Sequence, residues 1–171
     1  MQNIRKIMDY IGTSGPYLLN ILSIVLLINK QVYLFFYILG YIINIIINLG
    51  LKNIIKDPRP DQDTILFELG LKHGKRFTMD KYGMPSGHVQ GVAFSLMFVC
   101  LVLNNIYVVW FYSVVVILTM MQRYNYRNHT LPQILIGLLV GLIIGYLFYY
   151  LSKVFIKGKL QYKKDDTCII C

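Results

Sequence analysis

The chain reads as an all-α integral membrane protein, a bundle of about five transmembrane helices with an interfacial helix at its N-terminus. Three observations predict this. Of its 171 residues, 56% are hydrophobic and the mean hydropathy is +0.55, against roughly 45–50% apolar content in soluble domains. The apolar residues fall into long blocks of Ile, Leu, Val, Phe and Tyr separated by short polar segments, as spans of about 20 residues require. No stretch alternates apolar with polar residues as a half-buried strand would.

Met1 to Ser14 reads as a short amphipathic segment on the membrane surface. Its Arg5, Lys6 and Asp9 interrupt what would be the apolar part of a signal peptide. Pro16 to Asn29 makes a first span when its flanks are included, and Val32 to Leu51 makes a second, broken only by Gly40, Asn44, Asn48 and Gly50. Lys52 to Met84 is a polar connection in which "TILFELGL" is apolar enough for an interfacial helix or a re-entrant hairpin. Pro85 to Leu103 is the third span, with its polar residues crowded at the start. Asn104 and Asn105 form a minimal turn, and Ile106 to Met121 is the fourth span. "QRYNYRNHT" connects to a fifth span, Leu131 to Phe155. Its Gly137, Gly141 and Gly145 recur every fourth residue and read as a packing stripe. Residues 1–156 form one membrane-embedded domain on this reading, and 157–171 a basic tail.

The net charge of +9 raises the possibility of a nucleic-acid partner, but the basic residues are scattered over connections and form no basic face with interleaved aromatics. Near a bilayer they meet lipid phosphates or sort to the cytoplasmic side. Cys100 lies in an apolar run and Cys168 and Cys171 in the tail, so no disulfide framework is legible.

With five spans, the connections after the second and fourth open on one membrane face, and every polar cluster with chemical potential converges there. Lys52, Arg59 and Arg123 offer fixed positive charge, and a guanidinium engages phosphate through two parallel hydrogen bonds. Ser86 and Gly87 precede a helix, where free N–H groups and the dipole favour an anion. His88 and His129 titrate near neutral pH and so can attack or donate a proton. No Asp/His/Glu group has metal-ligand spacing, so the three cations would carry the charge stabilisation and neither metal nor cofactor is expected. Taken singly, Lys52 or Arg123 could be a snorkelling anchor and Ser86 a helix cap. The conjunction in one order and on one face points instead to an oxyanion site.

That conjunction resembles the type 2 phosphatidic-acid phosphatase superfamily of lipid phosphate phosphatases. Its motifs run Lys, six residues, Arg-Pro; then Pro-Ser-Gly-His; then Ser-Arg, five residues, His, three residues, Asp. Lys52 with Arg59-Pro60 and Pro85-Ser86-Gly87-His88 match the first two completely, and Arg123 and His129 keep the spacing of the third. The resemblance implies a core like that of acid and lipid phosphatases, with a bilayer lipid as substrate. It further implies His129 as nucleophile forming a phosphohistidine and His88 as general acid. Lys52, Arg59, Ser86, Gly87 and Arg123 would hold the phosphate oxygens.

Gln122 replaces the usual Ser and Gln133 the usual Asp. Gln133 lies four residues from His129, hence on the same helix face, where its amide could orient the ring without supplying charge. With Thr130 it also matches a T-x-x-Q capping box. One reading is a weakened phosphatase, or a pseudophosphatase kept as a membrane scaffold; phosphatidic acid or another lipid monophosphate is an alternative substrate. A second reading notes that "GMPSGHVQ" and "HTLPQ" resemble the dolichyl-diphosphatase branch, which implies a polyprenyl diphosphate substrate and a lumenal site in the endoplasmic reticulum. The tail's "CIIC" has the shape of a prenylation box, although Cys is not a typical last residue.

Overall fold

The structure, a computed structural model, describes residues 2–60 and 82–162, with side chains described over 10–60 and 82–157. Among the described residues five helices follow in order: α1 (Gln2–Leu27), α2 (Gln31–Ile55), α3 (Gly87–Leu103), α4 (Ile106–Asn125) and α5 (Leu131–Tyr162). The interfacial helix expected at "TILFELGL" and the tail's "CIIC" lie outside the described residues.

The bundle is organised around α3, which touches each of the other four helices and packs most extensively on α5. Its residues 89 to 95 are buried without interruption, the pattern of a helix enclosed on all sides. At 17 residues it is the shortest of the five described helices and rises about 26 Å. The other four are long and apolar enough to cross a bilayer, with mean hydropathy between 1.4 and 2.4. They turn large apolar side chains outward, such as Ile42, Ile45 and Ile46 on α2 and Ile143, Tyr146 and Leu147 on α5. A continuous apolar exterior of this kind suits lipid and not water. The chain is therefore an all-α multi-pass membrane protein.

Several polar groups in the middle of the bundle are paired, as a lipid surrounding demands. Ser23 and Tyr112 share a hydrogen bond of 3.0 Å, and Tyr37 and Ser95 one of 2.8 Å. Around them Phe94 meets Tyr37, Tyr41 and Phe98 with ring centroids 5.5 to 6.1 Å apart. The Asn104-Asn105 turn serves two helices. Asn104, with φ of 47°, closes α3 through its N–H to the Cys100 carbonyl. The Asn105 side chain opens α4 by accepting from the Tyr107 N–H.

Four helix boundaries differ from the hydropathy reading. The N-terminal segment is not separate from the first span, because α1 runs unbroken from Gln2 through Pro16. Gly12 and Gly15 press this helix onto α4, where an added Cβ would collide with Gln122 and Thr119. Packing there holds the helix through the residue that would otherwise interrupt it. α2 and α4 each continue about a turn beyond the last apolar block, which brings Lys52 and Arg123 inside helices. A cation in the last turn opposes the partial negative charge of the helix end. α5 extends to Tyr162, past the expected start of the tail.

The glycine stripe sets the α3–α5 contact. A Cβ at Gly137 would stand 2.7 Å from the Ser86 carbonyl oxygen, and one at Gly145 2.8 Å from that of Phe94; at Gly141 it would overlap the Gln90 carbonyl. These neighbours are backbone and cannot rotate away. Gly141→Leu is expected to force the helices apart and lower stability by about 1–3 kcal/mol or more. The check is a drop in melting temperature in detergent, with an unchanged melting point contradicting the packing role.

Candidate active site

Four helix ends meet on one face. α2 and α4 arrive by their C-termini, and α3 and α5 leave by their N-termini. The last two are tied together, since the Ser86 N–H donates to the Gln133 carbonyl at 3.1 Å. Lys52 and Arg123 lie in the final turns of α2 and α4 and are only 4% and 9% exposed. Snorkelling anchors keep their charge in water; these two do not. Arg59 is half-buried, and its guanidinium donates to the Asn128 carbonyl at 3.4 Å. The segment after α2 is thereby joined to the connection carrying His129.

His129 is 3% exposed, and its ring orientation follows from its neighbours. The Gln133 amide nitrogen donates to the Asp57 carboxylate at 2.5 Å and to the Pro58 carbonyl at 2.7 Å. A carbonyl can only accept, so this end of the amide must be the NH₂ group. The amide oxygen therefore faces the other way, accepting the Thr130 N–H at 3.2 Å and lying 3.2 Å from His129 Nδ1. An amide oxygen also only accepts, so Nδ1 carries the proton and Nε2 is left with its lone pair. The side-chain half of the capping box and the ring-orienting contact are made by the same oxygen of Gln133.

Burial, together with the positive charges of Arg59 and Lys52 and, less strongly, Arg123, pushes the His129 pKa down from 6.5 to about 3; the Gln133 contact opposes this in part. All three cations therefore act on one neutral imidazole. What the cluster can do is present an uncharged nitrogen nucleophile inside a strongly positive field, a setting suited to an anionic electrophile.

The sequence profile of the PAP2 superfamily matches residues 33–157, which takes in every motif residue and most of the chain. The chain belongs to the PAP2 superfamily. Membership points to phosphatase chemistry on lipid phosphates. Neither the curated proteins nor the solved structures compared with this chain give a match.

In this PAP2 protein Ser86 precedes α3, but its hydroxyl makes no cap hydrogen bond. The side chain is fully buried and its Oγ has no hydrogen-bond partner among the described residues, which favours a ligand-facing role over a capping one. Gly87 and His88 open the helix, both half-buried. The Asn48 side chain holds this turn from α2, donating to the Pro85 carbonyl at 3.2 Å and to Gln90 Oε1 at 2.7 Å. Gln90 in turn donates to the Asn44 carbonyl and side-chain oxygens at 2.9 and 2.8 Å. Asn44, Asn48 and Lys52 are buried on one face of α2, so a polar ladder rises through the bundle to the site.

Three site residues escaped the sequence reading: Asn44, Asn48 and Asp57. The asparagines left a signal, since polar residues four apart in an apolar span share a face and mark function or pairing. Asp57 left none beyond its place before Pro58-Arg59. Outside the helices, Pro60, Arg127, His129 and Thr130 line a depression of about 640 Å³ whose wall is completed by α4 and α5. The imidazole is thus reached from the membrane face.

Proposed function

We propose that the protein hydrolyses a polyprenyl diphosphate to the monophosphate, without metal, through a phosphohistidine intermediate on His129. The observation that carries this reading is the fixed tautomer: a neutral imidazole with its Nε2 lone pair available, surrounded by Lys52, Arg59 and Arg123. In the first step the Nε2 lone pair attacks the terminal phosphorus and a nitrogen–phosphorus bond forms. The bond to the bridging oxygen breaks, and His88 donates its proton to the departing lipid monophosphate. The three cations, the Ser86 hydroxyl and the positive end of the α3 dipole hold the non-bridging oxygens as charge accumulates. In the second step water attacks the phosphohistidine, its proton passes to His88, and inorganic phosphate leaves. One diphosphate and one water give one monophosphate and one phosphate.

Support for the diphosphate branch comes from how its marker residues are joined. Gly83 sits where any Cβ would overlap the Gln133 amide, and Gln90 is locked between Asn44 and Asn48. Gln133 has a defined partner at each end, as a residue built into the site does, and not one left over from decay. A lumenal site in the endoplasmic reticulum accompanies this reading.

The test is a substrate panel in detergent with EDTA present. Polyprenyl diphosphate is expected to release phosphate faster than phosphatidic acid, and a rapid quench into alkaline detergent, where a phosphohistidine survives, should trap label on His129. Preference for phosphatidic acid would move the protein to the monophosphate reading. Absence of release from every lipid would leave a scaffold, and inactivation by EDTA would overturn the metal-free mechanism.

A further inference from the structure

α4 and α5 are joined by a short connection, yet they touch each other only sparsely, because α3 and α1 take up most of their packing surfaces. The seam between them holds a cavity of about 380 Å³ lined by Ile117, Met120 and Met121 of α4 and Ile134 of α5, with Tyr124, Asn125 and Leu131 at its upper end. Those last three residues also line the depression that contains His129. The two spaces therefore adjoin, with these three residues at their common edge. One end offers His129, Arg127 and Thr130; the other is almost wholly apolar.

We infer that the α4–α5 seam is the binding groove for the hydrocarbon chain of the substrate, which enters sideways from the bilayer with its phosphate at His129. The inference takes the identity of the occupant from the phosphatase reading above. Ile117 to Tyr124 spans two turns of α4, about 10 Å along the axis, so the groove accepts the first carbons of a chain and leaves the remainder in lipid. Ile117, Met121, Tyr124 and Leu131 are each about half exposed, which keeps the seam open to the membrane along its length. A lipid headed by phosphate matches the polarity at both ends. A soluble phosphate ester would leave the apolar end unused. Met120 and Met121 supply flexible, polarizable walls that fit chains of varied shape.

The decisive experiment is photo-crosslinking of the full-length His129→Ala protein in mixed micelles. The probe is a lipid diphosphate with a diazirine on the first carbons of its chain. Label is expected on α4 and α5 peptides that contain Met120, Met121 and Ile134. It should be competed by unlabelled polyprenyl diphosphate and not by the corresponding polyprenol. Label spread over the outward faces of α2 and α5, or insensitive to the diphosphate competitor, would show bulk lipid contact and overturn the groove. A second measurement compares kcat/KM for a long polyprenyl diphosphate with that for para-nitrophenyl phosphate. Met121→Trp narrows the seam and should lower this ratio about tenfold, whereas Val114→Trp, outside the groove on the same helix, should not. An unchanged ratio in Met121→Trp counts against the groove. Specific label in the seam without phosphate release by the wild type would sink the phosphatase reading and keep the groove. Release with label elsewhere would do the reverse.

Discussion

His129→Ala is expected to lower turnover by at least about a thousandfold and to abolish alkali-stable, acid-labile capture of phosphate on the protein. The reason is chemical. Lys52, Arg59 and Arg123 can bind a phosphate and withdraw charge from it, but none of them can supply the lone pair that makes the covalent bond. Removal of His129 should therefore leave lipid diphosphate binding largely intact while removing the reaction. The same residue gives a direct physical test, because the chain has three histidines in all and ¹⁵N spectra of histidine-labelled protein can be assigned by substitution. An ordinary imidazole, with a pKa near 6.5, is mostly charged at pH 5. His129, with its pKa lowered to about 3, should still be neutral there, protonated on Nδ1 and bare on Nε2. A group whose folded pKa is lowered keeps its neutral form as pH falls, so His129 cannot be the cause of any loss of kcat/KM between pH 7 and 5. Arg59→Ala removes the largest charge acting on the ring and should move its titration upward. A His129 resonance that becomes imidazolium near pH 6.5 would contradict both the burial and the field described for it.

Much of this site was legible before the fold, because its cations and histidines recur at fixed separations along the chain and their helices all end on one face. The apolar blocks likewise located the five described helices. Hydropathy failed at the helix ends that matter most. It stopped the second and fourth spans before Lys52 and Arg123, since a window average treats any charge as a departure from the helix. In the structure these charges continue the helix and are buried by the site they build. The relation of Asp57 to Gln133 was out of reach for a different reason. A side-chain hydrogen bond across 76 residues follows no local period and alters no composition, so only the fold reveals it. Gln133 itself was seen, but its substitution for Asp looked like a missing charge. The carboxylate is present, one hydrogen bond further from the ring.

Exchanging the charge between those two positions should therefore be tolerated better than placing a second carboxylate at 133 alone. Gln133→Glu replaces an NH₂ group by an oxygen that faces the Asp57 carboxylate and the Pro58 carbonyl. Two donated hydrogen bonds are lost, and two carboxylates meet in a largely buried place. The expected result is a fall in kcat of about a hundredfold, with partial loss of the ring's fixed orientation. Asp57→Asn alone keeps an acceptor for Gln133 and removes only the charge, so its effect should be smaller, about tenfold. In the double variant the carboxylate at 133 accepts from His129 Nδ1 while the amide at 57 donates back to it. Activity should recover to within about tenfold of wild type, and the non-additivity measures the coupling. The new carboxylate beside the ring also raises the imidazole's pKa, so the His129 resonance should titrate at higher pH in the double variant. Gln133→Asp, which restores the commoner residue of the superfamily, should lose activity: it is one methylene shorter, cannot donate to Asp57, and places like charges together. Additive losses in the double variant would show that the two side chains act separately. A gain from Gln133→Asp would show that glutamine weakens the site, whereas a loss identifies a site built around an amide that passes the pull of a distant carboxylate to its histidine.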